Sequence, residues 1–348
     1  MANIFGIGDV LFTTPLIANI KAAHPQVQIG YICNRRTESL LVNNPKIDKI
    51  FVYERDEFKS AYDQSKFLFL KKVGELLTAV KSEKYDMLID VSLSGFIGFF
   101  AWLIGIKHRL GFNYKNRGVF LNEKILLTGY EGKHVVDYYL DLLQVMNVPV
   151  RHKKLELFID AAHQNWADEF LKNNHLNAGD LIIGLVPGGG ASWGKDANFK
   201  RWPAQKYAKL ADKLIEKLSA KIILMGDKRE EDLCNSVVES MRHKAIVAFG
   251  QTSIHQFAAL TQKCRLTIFN DGGPLHMAVA AGAQTVSIFG PVDERVYGPY
   301  PPTGHVVVSQ SLACQPCYRQ FRRASCDHVT CLNSLEVEEV FEKVKEAL

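Results

Sequence analysis

No stretch of this chain is long and apolar enough to read as a membrane span. The most apolar run, Leu93 to Ile106, has 14 residues, against the roughly 20 that cross a bilayer. It reads as a buried core helix or as a membrane-contacting one. Lys107, His108 and Arg109 follow it directly and would suit an anionic interface. The opening "MANIFGIGDV" lacks a basic segment followed by an apolar one, so a cytoplasmic protein is expected. Charge of one sign is scarce as well. A formal net charge of +5 is too small and too dispersed to argue for nucleic acid. It fits anionic small molecules or an anionic membrane surface. No internal repeat of short period is present.

Two phosphate-binding fingerprints are incomplete. "FGIGDVLFTTP" (5–15) begins like a dinucleotide loop, but Leu11 stands where the third glycine belongs. The next strand ends "YICNRR", without the acidic residue that would hold a ribose. A nicotinamide dehydrogenase is therefore not expected. "LVPGGGASWGKDANFKRWP" (185–203) has a glycine run, but no Gly-Lys-Ser/Thr follows it, so it is not a P-loop.

What is present is ordinary globular material. Hydrophobic residues make up 47% and charged residues 23%, which argues against disorder. The 348 residues exceed what one core usually organises, so two domains are expected. In the second half, β-rich apolar runs at 181–186, 221–226, 245–250, 265–270 and 285–290 alternate with helix-period segments near 203–218, 229–242, 253–263 and 274–282. That alternation predicts a parallel sheet covered on both faces. The first half repeats it less cleanly, with strands at 3–6, 27–32, 49–53 and 86–91 and helices near 14–23, 36–43, 65–82, 95–105 and 134–146. The expected fold class is α/β, two doubly wound Rossmann-like domains. The polar segment 150–178 carries the boundary, set at 165/166, and the last helix is expected to reach back to the first domain.

Ligands of such sheets bind beyond the carboxyl ends of the strands. The candidate residues fall there. Asp9 reads either as a helix cap or as a catalytic base. Gly188, Gly189 and Gly190 offer backbone N–H groups to phosphate oxygens, with Ser192 after them and Lys195, Lys200 and Arg201 as counter-charges. Pro203 then opens a helix. "MGDKREE" places Asp227, Glu230 and Glu231 at a strand end, where a carboxylate could hold ribose hydroxyls. "FNDGGPLHMAVAAG" places Asp271, Gly272, Gly273, Pro274 and His276 at a strand-to-helix turn. Such a helix start binds anions. Asp271 suits a sugar hydroxyl or a cap, and His276 is a structural histidine or a donor to a phosphate.

Seven cysteines are unevenly spread. Cys33, Cys234 and Cys264 lie in apolar surroundings and read as buried thiols. Cys314, Cys317, Cys326 and Cys331 form C-x2-C-x8-C-x4-C, which leaves a structural zinc, an iron site and plain reduced thiols open.

Taken together, these motifs resemble the lipopolysaccharide heptosyltransferase family, glycosyltransferase family nine. The resemblance covers nearly the whole chain. It rests on "GIGDVLFTTP", "HRLGF", "HVVDYYLDLL", "FKRWP", "NDGGPLHMAVAAGAQTVSIFGPVD" and "YGPY" in that order. It implies a GT-B fold with the active site in the cleft between the domains, and an inverting transfer that needs no metal or other cofactor. The implied donor is ADP-L-glycero-D-manno-heptose, and the implied acceptor is a lipid-linked inner-core sugar. By the same resemblance Asp9 is the general base. Lys200, Thr252, Asp271, Gly272, Gly273 and His276 contact the donor, together with the glycine run, and Glu230 holds the ribose. Acceptor contacts fall at Gly8, Thr13, Arg35 and Arg109. A monomer with peripheral contact to the inner membrane is expected. Gly272 departs from the pattern, because relatives carry a hydroxyl residue there. The first strand is also short and lacks the basic residue that often precedes the motif. A nucleotide-sugar epimerase and a non-catalytic nucleotide-sugar-binding protein are the alternatives.

Overall fold

The computed structural model describes the backbone of residues 1–348 and every side chain except that of residue 191. The chain forms two units, Met1–Lys153 and Lys154–Leu348. The division precedes the expected one because residues 154–173 belong to the second unit. Leu155 and Leu157 are buried, and the Leu157 amide donates to the Ala280 carbonyl at 3.1 Å.

The first unit runs α1 (Ile7–Leu11), α2 (Thr14–Ala23), β1 (Gly30–Cys33), α3 (Arg35–Leu41), β2 (Lys49–Val52), α4 (Arg55–Gln64) and α5 (Lys66–Ser82). It continues with β3 (Met87–Asp90), α6 (Gly95–Leu103), β4 (His108–Tyr114), β5 (Glu123–Leu127) and α7 (Val135–Val145). All strand pairs are parallel, in two groups, β1-β2 and β3-β4-β5. Ala2 joins the groups, bridging to Ile32 on one side and Asp90 on the other. The strand expected over 3–6 is reduced to this stitch, since Gly6 already caps α1.

The apolar run Leu93–Ile106 is not wholly buried. α6 buries Ile97, Gly98 and Ala101, but Trp102 and Leu103 are 52% and 56% exposed. Beside them Phe120 meets Trp102 ring to ring at 5.7 Å, and Val119 is exposed. No helix among the described residues is long and apolar enough to cross a membrane.

The second unit runs α8 (Ala161–Asn173), β6 (Ile182–Val186), α9 (Ala204–Leu218), β7 (Lys221–Leu224), α10 (Glu231–Ser240), β8 (Ile246–Val247) and α11 (Ile254–Lys263). Then come β9 (Leu266–Asn270), α12 (Gly273–Ala280), β10 (Thr285–Phe289), α13 (Glu294–Tyr297) and β11 (His305–Ser309). A small hairpin of β12 (Tyr318–Arg319) and β13 (Arg322–Arg323) precedes α14 (Thr330–Asn333) and α15 (Val337–Ala347). The six main strands are parallel, in the order β11-β10-β9-β6-β7-β8. From β6 the chain winds outward to β8, returns to β9 beside β6, and winds the other way. This is the dinucleotide-fold order, and its switch point lies between β6 and β9.

The sheet is buried on both faces, which explains why β6, β9 and β10 read as continuous apolar runs. α15 packs on α9 and β11, within its own unit, and buries Val340, Phe341 and Val344 there. Trp202 is the largest fully buried side chain. Its indole N–H donates to the Leu335 carbonyl at 3.1 Å, and its backbone N–H donates to Asn270 Oδ1 at 3.0 Å. Trp202 thus ties the segment before α9 to β9 and to the approach to α15. Trp202→Ala is expected to destabilise the protein by about 3–5 kcal/mol, the range for emptying a buried aromatic site. Denaturant unfolding measures this, and a loss below about 1 kcal/mol would contradict the anchoring role.

Candidate nucleotide-sugar site

Two loops meet at the switch point. After β6 the chain passes Pro187 and Gly188–Gly190, then a run of 3-10 turns over Ala191–Lys200, broken at Gly194. After β9 it makes the turn Asp271-Gly272 into α12. Asn270, the last residue of β9, joins them. Its Nδ2 donates to the Pro187 and Gly188 carbonyls at 2.7 and 3.1 Å, while its Oδ1 takes the Trp202 amide.

The charged groups are paired across the same gap. Lys200 Nζ lies 2.5 Å from Asp271 Oδ2, with both side chains almost fully buried. The same ammonium sits 4.6 Å from the centroid of the Trp193 ring. Arg201 forms an ion pair with Glu230 at 2.9 Å and donates through Nε to the Gly189 carbonyl at 3.0 Å. Glu230 Oε1 also accepts from the Gly189 amide at 2.8 Å. Glu230 therefore shapes the glycine loop through Oε1. Asp227 caps the turn that carries Glu230, in a reciprocal capping box.

The glycines fit this packing. A Cβ on Gly188 would lie 2.1 Å from Glu230 Oε2, and Gly190 has φ +71°. A Cβ on Gly272 would lie 3.0 Å from the Gly190 amide nitrogen. The hydroxyl residue expected here is missing because the backbone of the glycine loop occupies its place. Gly272 is also the N-cap of α12 and brings no side-chain cap, with Pro274 in the first turn. A helix start without a side-chain cap is one at which an anion can bind. His276 is buried inside the same turn. Ser192 and Lys195 are exposed on the 3-10 run, and Thr252 is half-buried in the loop after β8. Pro203 occupies the N-cap of α9, one residue before the helix proper.

In the first unit Asp9 is the third residue of α1, half-buried, and the cap position belongs to Gly6. Two buried asparagines hold its loop. Asn3 Nδ2 donates to the Asp9 carbonyl at 2.9 Å, and Asn34 Nδ2 donates to the Ile4 carbonyl at 3.1 Å. The carboxylate stands near the phenols of Tyr31, Tyr130 and Tyr139. Each is held above its ordinary pKa, mainly by burial, and the charge of Asp9 adds to that. Gly8 is half-buried beside Asp9.

Three of the expected acceptor residues have partners within the fold. Thr13 is fully buried, and its hydroxyl donates to the Val10 carbonyl at 2.6 Å and bonds the Tyr31 hydroxyl at 2.8 Å. Arg109 uses its guanidinium on the Phe120, Ile106 and Lys107 carbonyls at 2.6, 2.5 and 3.1 Å. Arg35 is exposed and paired with Glu57 at 3.1 Å. The first two spend these hydrogen bonds on the fold.

Among the described residues no group of three or more His, Cys, Asp or Glu is arranged to hold an ion. Cys331 is buried on α14 as part of the second unit's core, whereas Cys314 is exposed. Burial pushes the Cys331 thiol up to about 11, and the other three thiols add to this.

A model of glycosyltransferase family 9 (heptosyltransferase) matches residues 73–328. Lipopolysaccharide heptosyltransferase 3 of Escherichia coli is 22% identical over 297 residues, covering 84% of this chain and 83% of its own length. A family 9 glycosyl transferase from Veillonella parvula superposes with a TM-score of 0.83 at 22% identity, over 99% of this chain and 95% of that one. An Escherichia coli heptosyltransferase solved with ADP superposes with a TM-score of 0.74 at 16% identity, over 100% and 98%. These likenesses establish the GT-B fold that the two parallel-sheet units suggest. The chain is a glycosyltransferase and belongs to glycosyltransferase family 9, the heptosyltransferases.

Proposed function

We propose that the protein transfers a heptose from ADP-heptose to a hydroxyl of a lipopolysaccharide inner-core acceptor, with inversion. The observation that carries this reading is the switch point of the second unit. A glycine loop, an uncapped helix start and a buried lysine converge there, as a diphosphate requires. The relative solved with ADP supports the nucleotide. The curated relative named for lipopolysaccharide supports the acceptor class.

In this reading the acceptor hydroxyl attacks the anomeric carbon while its proton passes to Asp9. The bond from that carbon to the diphosphate oxygen breaks, and negative charge grows on the leaving ADP. Lys200 and the N–H groups of the α12 start stabilise that charge, with His276 beside them. These groups fill the role that a metal ion takes in other transferases, so no metal is required. Asp271 orients Lys200 and is not the base. Glu230 Oε2 accepts only a long 3.4 Å contact from the Asp227 amide, so it retains capacity for a ribose hydroxyl.

The exposed apolar group on α6 and beside it supports membrane contact by the first unit. Trp102, Leu103 and Val119 are exposed there, near the basic residues Lys107, Arg117 and Lys124. Apolar anchors flanked by cations match an anionic bilayer surface. In this reading the protein works peripherally on the cytoplasmic leaflet, where a lipid-linked acceptor is presented.

Asp9→Asn is expected to fold normally, keep its ADP affinity and lose about 10²–10⁴ in kcat. Steady-state transfer assays with calorimetric ADP titration check this. Near-native turnover would remove Asp9 from the base position. Sedimentation with anionic vesicles at low salt tests the membrane surface. The protein should pellet, and Trp102→Ser with Leu103→Ser should leave it in the supernatant. No pelleting of the native protein would reduce the α6 patch to ordinary surface.

A further inference from the structure

The segment between β11 and α14 has no part in the reading above, although it holds three of the four clustered cysteines and a hairpin. Its root is tied to the loop after β10. Gln315 Nε2 donates to the Gly290 carbonyl at 2.6 Å, and the Cys317 and Tyr318 amides donate to the Pro291 carbonyl at 3.0 and 2.9 Å. Its other end is anchored by Cys331 and Leu332 in the core. Between these anchors, β12 and β13 pair through a two-residue turn. Gln320 and Phe321 both adopt left-handed backbone conformations there, at φ +48° and +63°. This is the tight hairpin geometry whose twist matches paired strands.

The hairpin then touches the loop after β6. The Tyr318 ring lies 5.1 Å from the Trp193 ring. Arg323 forms an ion pair with Asp196 at 3.3 Å, and its guanidinium stands 3.7 Å from the Phe199 ring centroid. In the sheet order β10-β9-β6 the segment therefore spans from one side of the β9 turn to the other. That turn carries Asp271, the ion-pair partner of Lys200. Trp193, which the hairpin meets through Tyr318, is also the ring beneath the Lys200 ammonium.

We propose that the 318–323 hairpin is a clasp, and that Trp193 and Arg323 are positioning residues that hold Lys200 in place for the donor diphosphate. The loop that carries Lys200 is otherwise weakly organised. It is a run of 3-10 turns, broken at Gly194, and such turns have poor hydrogen-bond geometry and rarely persist in long runs. A side chain on such a loop needs tertiary contacts to stay within the narrow range that charge stabilisation requires. Trp193 supplies the floor for the ammonium. Arg323 fixes the strand of loop between Trp193 and Lys200 at two points. The clasp rests on the donor reading for its purpose, but not for its existence.

The test uses the full chain with ADP as probe, in Trp193→Ala, Trp193→Phe, Arg323→Ala, Arg323→Lys and Lys200→Ala. Hydrogen exchange of the peptide covering residues 191–202, without ligand, reads the clasp directly. Both alanine variants should exchange faster there than the native protein, and the Phe and Lys variants should stay close to native. Calorimetry should show ADP affinity about three- to tenfold lower in the alanine variants, as losing one cation–π or aromatic contact implies. That loss should disappear when Lys200→Ala is already present. Unchanged exchange in the alanine variants overturns the clasp. A Trp193→Ala loss that persists undiminished in the Lys200→Ala background means that Trp193 touches the nucleotide itself, and this overturns the positioning role. Faster exchange together with ADP affinity unaffected by Lys200→Ala upholds the clasp and overturns the donor reading instead.

Discussion

The buried ion pair between Lys200 and Asp271 is the constraint around which the second unit's site is arranged. Two opposite charges with side chains 10% and 4% exposed are tolerated only because each has the other. Removing either partner would leave a buried charge uncompensated, at a cost of about 3–5 kcal/mol. The pair belongs to loops that leave neighbouring strands, β6 and β9, so it closes the mouth of the switch point. Asn270 does the same with neutral groups, holding Pro187, Gly188 and Trp202 together. A second charged pair, Arg201 with Glu230, secures the side of the glycine loop nearer β7. The result is a backbone cradle whose shape is set before any phosphate arrives. Preorganisation of this kind is what lets fixed donors stabilise charge without reorganising during the reaction.

The glycines follow from that closeness. Gly272 lacks the hydroxyl that the resemblance implies, and a Cβ there would crowd Gly189 and Gly190. The glycine run and Gly272 are one adaptation, in which backbone approaches backbone and helix N–H groups take over from a side chain. Lys195 and Lys200 differ in placement. Lys195 is exposed on the 3-10 run, while Lys200 reaches inward over Trp193.

Much of this was legible in the amino-acid order. The five β-rich runs of the second half correspond to β6 to β10, and β6, β9 and β10 are apolar throughout because they are buried on both faces. Edge strand β11, "HVVVS", escaped because its burial is partial. β4 and β5 escaped because polar residues interrupt them, and α8 was hidden in a charged segment that read as a boundary. At the site, the types and the turn positions were readable, but the pairings were not. Lys200 and Asp271 are far apart in sequence and were assigned separate tasks. Nothing local to Glu230 shows that Arg201 and the Gly189 amide converge on it. Arg109 and Thr13 looked available for the same reason. Asn270 had a signal that was passed over, an amide at the end of an otherwise apolar strand. The spacing of the four cysteines suggested an ion, but spacing does not reveal that one of them lies in the core.

The measurement that bears most directly on the central claim is a crystal structure of the protein grown with ADP. The account predicts the diphosphate against Gly189 and Gly190 and the first turn of α12, with Lys200 Nζ within hydrogen-bond distance of a phosphate oxygen. It also predicts that Asp271 still faces the lysine. Nucleotide bound elsewhere, or a diphosphate at this site with Lys200 turned away, would contradict it.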